Sequence, residues 1–143
     1  MDAKEMWNLY SNKTNEDYSA WAFGSEPDNL ATLVLNGEKI ATASCYEFYK
    51  IDNEPLPKVG DYSVILNSKE EAVCIIKTTK IQIVPFLEVS AEHARKEGEG
   101  DKSLSYWRKV HEEVFTLEAT EYNTTFSKDY SVVCEEFEVV FKL

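Results

Sequence analysis

Basic residues are scarce in this sequence: 15 lysines and arginines stand against 26 aspartates and glutamates, for a formal charge of −11. Affinity for a nucleic-acid polymer comes largely from neutralised phosphates, so such a chain repels DNA over its bulk surface and suits a small ligand better. Long apolar runs are missing as well. None approaches the ~20 residues that span a bilayer, and no membrane partner is expected. The opening MDAKEMWNLYSNK has no apolar signal-peptide core, which argues against export. Cysteine is limited to Cys45, Cys74 and Cys134, an odd set without C-x-x-C spacing. Each lies in a strand-like run, so buried reduced thiols and a cytoplasmic home are expected. With only His93 and His111, and no short H-x-x-x-H or cysteine partner, a dedicated zinc site is not expected. A P-loop, a dinucleotide-binding glycine pattern and a G-x-S-x-G elbow are all absent. So are internal repeats, low-complexity tracts and linkers.

What remains is a 143-residue chain, 43% hydrophobic and 13% aromatic, which fits one domain with a single substantial core. Met6, Trp7 and Tyr10 fall at helical spacing and predict a short N-terminal helix packed on the body. In SEPDNLATLVLNG, Ser25 and Asp28 form a capping-box pattern, Pro27 suits a first turn, and Gly37 is a left-handed stop. A strand is expected from about Lys39 to Phe48. A turn at Gly60–Asp61 precedes another, and the β-branched EAVCIIKTTKIQIVPF predicts one long bent strand or two short ones. Ser90 starts a helix that stops at Gly98, Asp101 caps a longer one, and SVVCEEFEVVFKL closes the chain as a strand. Strands with helices between them, in no strict βαβ alternation, predict an α+β fold: a small mixed barrel flanked by helices.

Three groups of residues can carry chemistry. Lys39 and Thr42 sit where the chain turns from helix into strand, with Ser44 beyond them. Lysine serves as a base only when burial or neighbours alter its pKa, and threonine attacks only with a base at hand. The plainer alternative is a solvated lysine after a cap and a threonine on a pleated surface. In KEGEGD, two glycines let the backbone bend and gather Glu97, Glu99 and Asp101 around a cation or a substrate amide; the alternative is a solvated acidic loop. In SYWRKVHEEVF, Leu104, Trp107, His111 and Val114 share a helical face, which leaves His111 facing core or pocket, and Arg108 beside it can hold an anion bidentately.

Together, LVLNGEKIATAS, PKVGDYSVIL, SAEHARKEGEGDKSLSYWRKVHEEVF and VVCEEFEVV resemble the ASCH domain family of the PUA-like superfamily, in particular its compact bacterial members. The resemblance runs from about Trp21 to the end. It implies residues 1–20 as a helical extension and 21–143 as the ASCH domain, within one globular unit. It also implies a small PUA-like β-barrel and, among several family activities, an amidohydrolase acting on N4-acylated cytidine or a related small amide. In those enzymes a lysine, a threonine three residues on, and a glutamate four residues after a histidine form the site. Lys39, Thr42 and Glu97 (in HARKE) fill these places. Thr42 would attack the acyl carbonyl, Lys39 would take its proton, and Glu97 would assist proton transfer or orient the substrate. Ser44, Tyr46, Glu99, Asp101, Trp107, Arg108 and His111 are the expected ligand-binding residues. The implied alternatives are a non-catalytic module for single-stranded RNA, linked to translation or RNA metabolism, with Tyr46, Tyr49 and Trp107 stacking bases, and a metal-dependent ribonuclease. No cofactor is expected except Mg²⁺ or Mn²⁺ under the ribonuclease alternative.

Overall fold

The β-branched run after Glu71 forms the backbone of the sheet. In the computed structural model, which describes residues 1–11, 17–24 and 26–143, it is one 14-residue strand, β4 (Ala72–Pro85). It pairs antiparallel with β3 (Tyr62–Leu66) on one side and with β5 (Ser131–Lys142) on the other. β1 (Tyr18–Ala22) adds parallel to β3, and β2 (Ala41–Cys45) adds antiparallel to β5, giving the order β1-β3-β4-β5-β2. Register shifts at Ile75/Ile76 and Thr78/Lys80 bend β4 against β5, because each bulge adds local twist. The outcome, among the described residues, is a five-stranded sheet curled into a half-barrel, with five α-helices around it.

Alternation along the strands sends side chains to two faces. On one face, Cys45, Val132 and Cys134 pack with Phe86, Trp107 and Phe115 from the segment that carries α4 (Ala91–Glu97) and α5 (Leu104–Glu121). Elsewhere Leu30, Ala31 and Val34 of α2 (Pro27–Leu35) cover Ile65, Cys74, Ile76 and Phe137. Met6 and Trp7 of α1 (Ala3–Tyr10) cover Val64 and Ile75, as their helical spacing predicts. Full burial of side chains of this size is worth about 1.5–3 kcal/mol each. The expected division after residue 20 falls within β1. The three cysteines are buried and unpaired. Burial pushes the Cys74 thiol up to about 11 and the Cys134 thiol up to about 12, which marks them as inert packing groups. No helix among the described residues is long and apolar enough to cross a membrane.

Local expectations differ at three places. The strand expected to run to Phe48 stops at Cys45, and Tyr46–Asp52 form α3. Tertiary packing overrides the β-preference of this aromatic stretch: Phe48 is buried and stacks on Tyr122, ring centroids 4.7 Å apart. The cap of α5 is Ser103, whose hydroxyl accepts from the Tyr106 N–H, while Asp101 accepts from the Ser103 N–H one turn earlier. Asp28 accepts from the backbone N–H and the hydroxyl of Ser68; its expected capping partner Ser25 lies outside the described residues. Gly37 does stop α2, at φ +77°.

Candidate active site

The loop after α4 is shaped by glycine. Gly98 ends the helix at φ +71°, and Gly100 follows at φ +58°. This turn lays Glu97 and Glu99 against the entry to β2, where the Ile40 N–H donates to the Lys96 carbonyl at 2.8 Å. A Cβ on Gly98 would run into the Glu38 carbonyl. Gly98→Ala is therefore expected to destabilise the fold by more than the ~1–3 kcal/mol of left-handed strain alone. Gly37→Ala, at a similar φ with open space around it, should incur the strain only. Thermal melts of the two variants side by side check this.

The side chain of Lys39, 1% exposed, points into that corner. Its Nζ donates to the Ala41 carbonyl at 2.9 Å, to Glu99 Oε2 at 2.8 Å and to Glu97 Oε1 at 3.4 Å. The Glu97 backbone carbonyl, at 3.5 Å, is a fourth oxygen around this nitrogen. Glu97, 2% exposed, is the hub. Its Oε2 accepts from His93 Nε2 at 2.7 Å and from Trp107 Nε1, and its Oε1 faces Lys39 and, at 3.4 Å, His111 Nε2. Burial pushes the Glu97 pKa up, but hydrogen bonds from His111 and His93 and the charge of Lys39 prevail and hold it well below the usual carboxylate range. Burial lowers His111 too, yet the hydrogen bond and charge of Glu97 carry it above its ordinary value. The Trp107 carbonyl lies 2.9 Å from His111 Nδ1, so acceptors flank both ring nitrogens, an arrangement that fits the imidazolium. Desolvating so many charges costs several kcal/mol per ion, and cores do not need it for packing, which makes this corner a candidate site.

Thr42 belongs to another surface. In β2, Ala43 and Cys45 face the α4/α5 core, while Thr42 and Ser44 face an open cleft of about 620 Å³ at the mouth of the half-barrel. Every strand sends a polar side chain into this cleft: Ser19 from β1, Thr42 from β2, Ser63 from β3, Thr78 from β4 and Glu135 from β5. Trp21 and Phe23 form an aromatic wall, edge to face at 4.8 Å. The Phe23 ring also lies 5.3 Å from Lys39 Nζ, so the two regions share a wall. The Thr42 hydroxyl has no hydrogen-bond partner among the described residues.

The structure thus brings Lys39, Glu97, Glu99, Trp107 and His111 into one buried network, with His93 added. Thr42 and Ser44 lie in the cleft, where Ser44 shares a hydrogen bond with the Tyr49 hydroxyl at 2.8 Å. Trp107 is 2% exposed, hydrogen-bonded to Glu97 and stacked on His111, so it offers no face to a base. Tyr46, moved from strand to helix, lies under Lys50 Nζ at 4.8 Å. Arg108 gives its Nη2 to the carbonyls of Leu87 and Val89 and clamps the turn before α4. Asp101 is exposed and turned to Ser103, away from Glu97 and Glu99, so the three acids of the loop do not converge on one cation. Among the described residues no group of three or more His, Cys, Asp or Glu side chains is placed to hold a metal ion.

Sequence reasoning missed Glu135, Thr78, Ser63 and Trp21. One signal was available: Glu135 is an acid in the midst of the apolar VVCEEFEVV, and alternation puts it on the same sheet face as the apolar Val133 and Phe137.

A family model described as ASCH domain matches residues 19–141. No curated protein matches. Two solved structures are similar over nearly the whole chain. An ASCH domain from Lactobacillus crispatus JV V101 shares 33% identity at TM-score 0.88, covering 96% of this chain and 92% of its own. A protein from Enterococcus faecalis V583 shares 34% identity at TM-score 0.88, covering 99% and 94%. With its curled half-barrel and a family match spanning all but its ends, the chain belongs to the ASCH domain family.

Proposed function

We propose that this protein is a small amidohydrolase, with an acylated nucleoside such as N4-acetylcytidine, or a related amide, as its substrate. The observation that carries this reading is the Thr42 hydroxyl, which lines an aromatic-walled cleft and has no hydrogen-bond partner among the described residues. The cleft volume falls within the roughly 300–1,000 Å³ of small-molecule sites. Trp21 suits a planar base, and Thr42 in the same cleft suits an attack on the acyl carbonyl. The charge around it favours a ligand without phosphate, since Glu54, Asp61 and Glu135 line the cleft against a single base, Lys58. In this reading Lys39, held by Glu97 and Glu99, fixes the backbone at Ala41, one residue before the nucleophile.

Base stacking on a polymer has weaker support. Of the three aromatics expected to stack, Trp107 is buried in the core, and of the two on α3, Tyr46 and Tyr49, only Tyr49 lines the cleft.

The test is hydrolysis of N4-acetylcytidine by wild type and Thr42→Ala. Turnover should fall at least ~10³-fold in the variant, the scale set by removing a nucleophile. Equal turnover in the two proteins would end the assignment of Thr42.

A further inference from the structure

Lys39 Nζ is taken up by Ala41, Glu97 and Glu99, Glu97 is taken up by Lys39, His93, Trp107 and His111, and neither side chain lines the cleft of Thr42. A nucleophilic threonine needs a proton acceptor within its own cleft. The β2–β5 register supplies one: Thr42 stands directly opposite Glu135. Both side chains line the cleft, and directly opposed residues on one face have Cβ atoms about 4.5–5.5 Å apart. They share no hydrogen bond here, which is common for catalytic pairs without a ligand.

We propose that Glu135 is the general base and acid for Thr42, oriented by Thr78. This rests on the amidohydrolase reading for its natural substrate, though the pair itself can be tested without one. Three features of Glu135 support it. Its residue exposure is only 8%, and its Oε2 is fixed by the Thr78 hydroxyl at 2.7 Å. Its Oε1 has no partner among the described residues and is not sealed from solvent, so it is the oxygen turned to the cleft. Among the described residues no lysine, arginine or histidine forms an ion pair with it, in contrast to Glu97. Nucleophile, base and orienting group therefore come from three adjacent strands, β2, β5 and β4. Burial raises the Glu135 pKa, the Thr78 hydrogen bond opposes this, and the nearby Asp61 adds to the rise. Glu54, Tyr49 and Lys58 also face the cleft.

The chemistry balances. As Thr42 Oγ1 bonds to the acyl carbon, its proton passes to Glu135 Oε1. The C–N bond then breaks, and the leaving amine takes that proton. Water attacks the resulting ester, giving one proton to Glu135, and Thr42 Oγ1 recovers it as the acid departs.

The experiment uses p-nitrophenyl acetate, an activated ester that reports on the nucleophile whatever the natural substrate. Acetylation of Thr42 is followed by peptide mass spectrometry across pH, with Thr42→Ala as the site control. Wild type should label at Thr42 with an acidic limb. Glu135→Gln should slow labelling ~10²-fold or more and remove the limb. Thr78→Val, which deletes only the orienting bond, should move the limb to higher pH, since that bond lowers the Glu135 pKa. This variant keeps the test decisive if Glu135→Gln folds poorly. A folded wild type unlabelled at Thr42, equal labelling in Glu135→Gln, or a limb unmoved in Thr78→Val would each overturn the pair. Glu135-dependent labelling without turnover of N4-acetylcytidine would remove the substrate and leave the pair. Turnover unchanged in Glu135→Gln would do the reverse.

Discussion

Glu97→Gln is expected to destabilise the protein by about 3–5 kcal/mol, the range for breaking a buried charge network at one member. Glutamine keeps the shape, but the carboxylate accepts on both oxygens. Whichever way the new amide turns, its NH₂ meets donors: His93 and Trp107 on one side, or Lys39 and His111 on the other. Lys39 and His111 also lose their shared counter-charge; Glu99 pairs with Lys39 and reaches His111 only through its charge, without a direct ion pair. Against total stabilities of ~5–15 kcal/mol, such a loss leaves a marginal fold. Urea unfolding should show a lower midpoint at unchanged m-value.

The same variant has a pH signature whose sign is set by the shifts. The Glu97 pKa is held below its ordinary 4.5 in the fold, so its contribution is present above about that pH and is lost as pH falls through the folded value. The His111 pKa lies above its ordinary 6.5, so its contribution is complete below about that pH and is lost as pH rises through the folded value. The stability difference between wild type and Glu97→Gln should be greatest between these pH values and narrow on both sides. A difference that is flat with pH would mean that the network is held by shape rather than charge.

How much of this could be read from residues alone differs by element. Helix ends were legible because their signals are local: Ser90 caps α4 through its own side chain, and Gly37 and Gly98 end helices where positive φ is required. The long β4 announced itself through β-branched residues. Lys39, Glu97 and Glu99 were singled out, but their roles there came from a resemblance. The hydrogen bonds joining Lys39 to Glu97 span 58 residues, and nothing in local periodicity encodes such a contact. The end of β2 was missed because Phe48 is claimed by Tyr122, a partner more than seventy residues on. Parity within β2 was readable, and it separates Thr42 and Ser44 from Ala43 and Cys45. Glu135 stayed hidden because its importance depends on a cross-strand register, which sequence alternation alone does not supply.

Lys39→Met should be less damaging than Glu97→Gln, and this asymmetry tests which residue organises the corner. Removal of the ammonium leaves Glu97 with His93, Trp107 and His111, three of its four partners. Glu99 loses its ion pair but is 19% exposed and can turn to water. The unrecovered losses are the lysine donor of the Ala41 carbonyl, the longer contact at 3.5 Å to the Glu97 carbonyl, and one charge of the network. A cost of about 1–3 kcal/mol follows from leaving the Ala41 acceptor without that donor. In the double variant the Lys39 charge is no longer stranded, so the combined loss should fall short of the sum by about 0.5–3 kcal/mol. Additive losses would mean that the two side chains act independently despite their 3.4 Å separation. Because Lys39 holds Ala41, its loss should also loosen the strand entry that carries Thr42. Amide hydrogen exchange across residues 39–45 should rise in Lys39→Met. Unchanged protection there would separate the buried network from the cleft and leave Thr42 to its own strand pairing.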